Sequence, residues 1–144
     1  MATPDLTRPI ITLRTAERGD VEAISRFIQP FVDEGILLER TFDEIEQWLP
    51  HFFLAEAEGE IVGCAALEVY SRKLAEIRSL AVSPSVQGMG VGRMLVNACV
   101  DLAQRLNILE VMAVTSSEEF FKACGFDFTL PGEKKALFIQ TREK

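Results

Sequence analysis

The sequence lacks the features that would mark a membrane protein, a nucleic-acid binder or a disulfide-built domain. No apolar run approaches the roughly 18–20 residues that a membrane span requires. Met1 to Arg14 holds no apolar stretch of signal-peptide length, so secretion is not expected. Cations are scarce. Fifteen Lys plus Arg stand against 22 Asp plus Glu, for a net charge of −7. That disfavours a nucleic-acid groove or an anionic membrane as partner. Cys64, Cys99 and Cys124 are odd in number and form no C-x-x-C pair. This suits a reducing cytoplasm and gives no zinc or redox signature, so no metal is expected and the three read as buried small hydrophobes. Repeats, low-complexity tracts and linkers are also missing. What is present is 144 residues, 48% apolar and 26% charged. That is the size and composition of one globular domain over residues 1–144, large enough to hold a core without staples.

Hydrophobic periodicity and turn chemistry divide the chain into elements. Ile10–Arg14 alternates as a first strand. Asp20 can cap a helix whose Val21, Ile24, Phe27, Ile28 and Phe31 share a face. Thr41-Phe42-Asp43-Glu44 has capping-box spacing and opens a second helix that stops before Pro50. Phe52–Glu56 and Ile61–Tyr70 are strands around a Glu58-Gly59-Glu60 turn, and Leu74–Val82 is the next strand, ended by Ser83-Pro84. A long helix carries the stripe Val91, Met94, Leu95, Ala98, Leu102 and Leu106. Leu109–Val114 is a strand, and Ser117–Ala123 is a short helix stopped by Gly125. Phe126–Leu130 and Lys135–Thr141 close the sheet. The order β-α-α-β-β-β-α-β-α-β-β predicts an α/β (α+β) fold, with a mixed, mostly antiparallel central sheet flanked by helices.

Charge is uneven. Residues 31–60 hold nine acids and one cation, Arg40, whereas Lys134, Lys135, Arg142 and Lys144 gather near the C-terminus. An acidic protein that binds an anion must concentrate its cations locally. Charge alone would favour Arg40 pairing with a nearby Glu on the surface.

The most informative stretch runs from Leu80-Ala81-Val82 through Ser83-Pro84 to Gln87-Gly88-Met89-Gly90-Val91-Gly92-Arg93. Three alternate glycines lie between a strand and a strong helix. Glycine lets a ligand approach the backbone, and the helix start offers unpaired N–H groups and a positive dipole end. Together these make a pyrophosphate cradle; a tight turn alone would need one glycine. Arg93 stands where a dinucleotide fingerprint needs its third glycine, and the Lys-Ser/Thr of a nucleotide P-loop is missing.

Gln-x-x-Gly-x-Gly after a strand ending Ala-Val-x-Pro resembles motif A of the GNAT acetyltransferase superfamily. The resemblance implies that Leu80, Ala81 and Val82 pair with the pantetheine arm of acetyl-CoA and that Gln87 to Arg93 hold its pyrophosphate. Further segments are similar to the acetyltransferase domain of N-acetylglutamate synthase: Gly35-Ile36-Leu37-Leu38-Glu39-Arg40, Gly63–Leu67, Ala75–Val82, and Leu130-Pro131 with Lys134, Lys135 and Arg142 downstream. That likeness makes Glu76 the general base, with a surface strand carboxylate as its rival reading. Ser117 becomes the aid to the leaving thiolate, and a helix cap is equally open. Arg40 would grip a substrate carboxylate, helped by the backbone of Leu38 and Ser79, and Arg142 would reach a second carboxylate. Lys134 and Lys135 read as solvated surface.

Two departures stand out. Phe121 replaces the Tyr that many members use as acid, and the single Tyr of the chain is Tyr70. The family's Leu-Tyr-Asn-x-Gln-Arg reads Leu137-Phe138-Ile139-Gln140-Thr141-Arg142, with Lys144 in place of a serine. The resemblance implies a short, stand-alone form without the amino-acid-kinase-like domain and its arginine feedback. The expected activity is acetyl transfer from acetyl-CoA to the α-amine of a small acidic amino acid, foremost L-glutamate, as in arginine biosynthesis. A different small amine, or an acyl-CoA-binding module without chemistry, remain alternatives. A homodimer would be in keeping with the family.

Overall fold

The computed structural model describes residues 8–129 and 132–141. In chain order the elements are β1 (Thr12–Thr15), α1 (Val21–Asp33), α2 (Phe42–Gln47), β2 (Phe52–Ala57), β3 (Glu60–Val69), β4 (Leu74–Val82), α3 (Val91–Arg105), β5 (Glu110–Met112) and α4 (Glu118–Ala123). The five strands form one sheet in the order β1-β2-β3-β4-β5. The first three pairings are antiparallel and β4–β5 is parallel. A parallel pair needs a crossover, and α3 supplies it.

Period-two alternation sends the strand side chains to two cores. On one face Ala65, Leu67, Ala75 and Ile77 meet Val91, Leu95 and Cys99 of α3. On the other, Leu54, Cys64, Ala66 and Ala81 meet Ile24 and Ile28 of α1 and Ile45 of α2. The stripe expected on α3 is buried at Val91, Leu95, Ala98 and Leu102, whereas Leu106 lies just past the helix end and is exposed. The Thr41 capping box forms: the Glu44 N–H donates to Thr41 Oγ1, and the Thr41 N–H donates to Glu44 Oε1.

Three expectations need correction. Asp20 stands at the N-cap of α1, but its side chain makes no capping bond. Its Oδ2 accepts from Arg14 Nη1 and from the Glu17 N–H, both at 2.7 Å, and its Oδ1 accepts from Arg14 Nη2 at 2.8 Å, so the carboxylate is turned back to β1 and the preceding turn. β5 is shorter than Leu109–Val114, and Leu109 and Val114 are exposed. The two closing strands do not form: residues 126–129 and 135–141 are irregular, and Leu130 lies outside the described residues. Phe126 packs on the α3-side core, yet Leu137, Phe138 and Ile139 stand in solvent. Three consecutive apolar residues lack the alternation that would commit them to one face.

Candidate active site

β4 and β5 pair only from Leu74 to Glu76, against Glu110 to Met112. β5 then ends, while β4 continues to Val82. Beyond Glu76 the outer edge of β4 therefore has no strand beside it among the described residues. Glu76 sits where the strands part. Its neighbours Ala75 and Ile77 belong to the α3-side core, so its side chain points to the α1–α2 side. It is one of two buried polar residues among those described, 7% exposed; the other is Ser79, also 7%. The β3–β4 register shifts between Cys64–Ala81 and Ala66–Arg78. Ala65 thus stands opposite both Ser79 and Leu80, and Ser79 takes φ 54°. Such a bulge re-aims the chain beside a site. The Cys64 thiol donates to the Ser79 carbonyl at 3.2 Å, and burial pushes that thiol up to about 12. Cys64 is therefore an inert, buried small side chain, as its surroundings in sequence imply.

The Glu76 carboxylate is held by residues that motif reading passed over. Tyr70 Oη donates to Glu76 Oε1 at 2.5 Å. Arg78 Nη1 lies 3.5 Å from the same oxygen and 3.0 Å from Glu68 Oε2. Glu68 and Glu76 are cross-strand partners, and Tyr70 is two residues along from Glu68. The hairpin between Val69 and Leu74 folds the lone tyrosine back onto the carboxylate. Burial and the bond to Glu76 push the Tyr70 hydroxyl up to about 12.

The glycine loop divides into two kinds of position. Gly88 and Gly90 have φ of 81° and 78°, which side chains other than glycine adopt at a cost. Gly92 is helical, and a Cβ there would lie 3.1 Å from Phe120 Cζ of α4. Its smallness thus serves helix packing. The N–H groups of Val86, Gln87 and Met89 are engaged in turns with Ser83, Pro84 and Val86 carbonyls. The first N–H to bond within α3 belongs to Met94, which donates to the Gly90 carbonyl. The amides of Gly90, Val91, Gly92 and Arg93 consequently stand open at the helix start, where the dipole is positive. Gln87 instead sends its side-chain amide to the Val82 carbonyl at 3.4 Å, and Met89 packs on the α3-side core.

Arg40 lies just before α2, on the same side of the sheet as the Glu76 side chain. Its guanidinium is 4.7 Å from the Trp48 ring centre. Pairing with a neighbouring Glu does occur, with Glu44, but at a long 3.4 Å. Its Nε is buried and has no hydrogen-bond partner. A buried unpaired donor is costly, which suits a site awaiting an acceptor. Leu38 is exposed. Ser117 occupies the N-cap of α4, yet its hydroxyl makes no capping bond. Arg142 lies outside the described residues; Lys134 and Lys135 are exposed.

The Acetyltransferase (GNAT) family model matches residues 20–126. The chain belongs to the GNAT acetyltransferase family. It is 38% identical to an uncharacterized N-acetyltransferase of Chlorobaculum tepidum over 79% of this chain and 74% of that one. It is 35% identical to an amino-acid acetyltransferase of Neisseria meningitidis, covering 81% of this chain but only 27% of that protein. Among solved structures, Rv2747 from Mycobacterium tuberculosis in complex with CoA superposes with a TM-score of 0.76 at 32% identity, covering 87% and 76% of the two chains. N-acetylglutamate synthase from Neisseria gonorrhoeae, complexed with coenzyme A and N-acetyl-glutamate, gives 0.72 at 32% identity, covering 81% of this chain and 28% of that one. The mixed five-stranded sheet is thus a GNAT sheet.

Proposed function

We propose that this chain, as one N-acetyltransferase unit, moves the acetyl group of acetyl-CoA to the α-amine of a small acidic amino acid, foremost L-glutamate, the first step toward arginine. The buried carboxylate of Glu76 at the parting of β4 and β5 carries this reading. On it, the pyrophosphate of acetyl-CoA rests on the amides from Gly90 to Arg93, and the pantetheine arm lies along the open edge of Leu80–Val82. The thioester then reaches the gap beside Glu76. The N-acetylglutamate synthase and amino-acid acetyltransferase likenesses support the acceptor class.

The α-amine arrives as an ammonium ion near neutral pH. Glu76 takes one proton, and the freed lone pair attacks the thioester carbonyl. The new C–N bond gives a tetrahedral oxyanion, which main-chain N–H groups of the open β4 edge are suited to stabilise. Collapse breaks the C–S bond and expels the thiolate of CoA. The nitrogen's second proton goes to the thiolate through the Ser117 hydroxyl, which gives up its own proton to sulfur and takes the incoming one. Arg40 holds the acceptor α-carboxylate with its unpaired Nε, and Leu38 and Ser79 add main-chain contacts. Arg142 meets the distal carboxylate.

Release of free thiol from acetyl-CoA, followed across the twenty amino acids, tests this directly. Glutamate should turn over fastest. Preference for a cationic or neutral amine would reassign the acceptor, and no turnover with any amine would leave an acyl-CoA-binding module.

A further inference from the structure

Transfer of an acetyl group to an ammonium substrate gives an amide, a thiol and one surplus proton. Two protons leave the nitrogen and the thiolate takes only one. The surplus proton collects on Glu76, which is buried. It must reach water before the next cycle.

Resting on the reading of Glu76 as base, we propose that Tyr70 and Glu68 form the exit path for this proton. The Tyr70 hydroxyl lies between two carboxylate oxygens, 2.5 Å from Glu76 Oε1 and 3.1 Å from Glu68 Oε2. One hydroxyl proton cannot serve both. While it is donated to Glu76, the contact with Glu68 brings two oxygens together with no proton between them. A proton added to Glu76 completes the chain. After a half-turn of its carboxyl group, Glu76 donates to Tyr70 Oη while Tyr70 donates to Glu68 Oε2. The shift breaks the O–H bond on Glu76, exchanges the one on Tyr70 and forms one on Glu68. Tyr70 stays neutral throughout, in keeping with a hydroxyl pushed well above the working pH.

The direction of transfer follows from exposure. The Glu76 side chain is 10% exposed and that of Glu68 25%, and half of Tyr70 is in solvent. Arg78 Nη1 is closer to Glu68 Oε2, at 3.0 Å, than to Glu76 Oε1, at 3.5 Å. The wetter Glu68 accepts the proton briefly and yields it to water. Tyr70 and Glu68 act through Glu76 and are positioning and relay residues.

The test compares kcat in a dilute, bulky buffer with kcat as a small buffer such as imidazole is raised. Tyr70→Phe and Glu68→Gln should each lower kcat about tenfold, the low side of what a proton-transfer group contributes. KM for both substrates should stay within about twofold, and the small buffer should restore the rate by taking the proton directly. The double variant should be no slower than the slower single one. Wild-type kcat in either variant at low buffer overturns the proposal, as does a loss that imidazole does not relieve. Glu68→Gln keeps the test open if Tyr70→Phe folds poorly. Glu76→Gln should be slow at every buffer concentration. If it is as fast as wild type, the base assignment fails and the relay with it; if only the two relay variants are normal, the base assignment stands and the relay alone is wrong.

Discussion

Arg40 lies over the ring of Trp48, with 4.7 Å between its guanidinium carbon and the ring centre. The stacking fixes the plane of a donor group whose Nε has no partner. Arg40→Ala should raise KM for the amino acid by about 10–100-fold, as expected for a lost charge-assisted bond. KM for acetyl-CoA should change little. Arg40→Lys should rescue only part of the loss, because an ammonium lacks the planar fork. Equal effects on both KM values would remove Arg40 from the acceptor site.

Glu76→Gln keeps the shape of the residue and removes its basicity. We expect kcat to fall by about 10²–10⁴. Calorimetry should find coenzyme A bound as tightly as by wild type, because the pyrophosphate contacts lie at the start of α3. Unchanged turnover would take the base role away from this position.

Gly90 and Gly92 should behave differently. Gly90→Ala forces φ 78° on an L side chain, at a cost of about 1–2 kcal/mol. It should both lower the melting temperature and raise KM for acetyl-CoA. Gly92→Ala gains up to about 1 kcal/mol of helix propensity but must displace the Phe120 ring. The two effects oppose each other, so its melting temperature should move less and its KM for acetyl-CoA should stay near wild type. A larger KM effect at Gly92 than at Gly90 would contradict this division.

Asp20 carries a pH-dependent part of the stability. The Arg14 guanidinium holds its carboxyl below the ordinary 3.8. Its contribution is therefore full above the unfolded-state value and is lost as pH falls through the lower folded-state value. Asp20→Asn should cost about 1 kcal/mol at neutral pH, the scale of a partly exposed ion pair. The gap to wild type in denaturant midpoint should close as the pH falls below the ordinary 3.8 and through the lower folded-state value. A gap that persists at low pH would mean that the carboxylate charge is not what stabilises.

Sequence reading reached what is written locally. β4 was legible from Leu74 to Val82 because Pro84 supplies no ladder donor, and the Thr41–Glu44 box because both partners lie within four residues. Gly88 and Gly90 were legible because their backbone angles favour glycine. The Ser79 bulge was not, since a serine at φ 54° leaves no local mark. Tyr70 carries no local motif because its partner, Glu76, lies across a hairpin. Glu68 and Tyr70 two apart, with Glu76 opposite Glu68, gave a signal that needed the register to be read. Asp20 misled because the partner that claims its carboxylate, Arg14, lies on another element. Residues 135–141 are strand-like in composition, but a strand exists only where a neighbour offers its edge.

The parting of β4 from β5 also separates the ways in which the two substrates are held. In the proposed complex the acetyl donor meets mainly peptide groups, which every sequence supplies, whereas the acceptor meets individual side chains such as Arg40. Replacements around the acceptor can then redirect the enzyme to a new amine without disturbing its hold on the donor. New specificities should therefore lie within a few substitutions, and a library confined to the α1–α2 side of the sheet is the place to look for them.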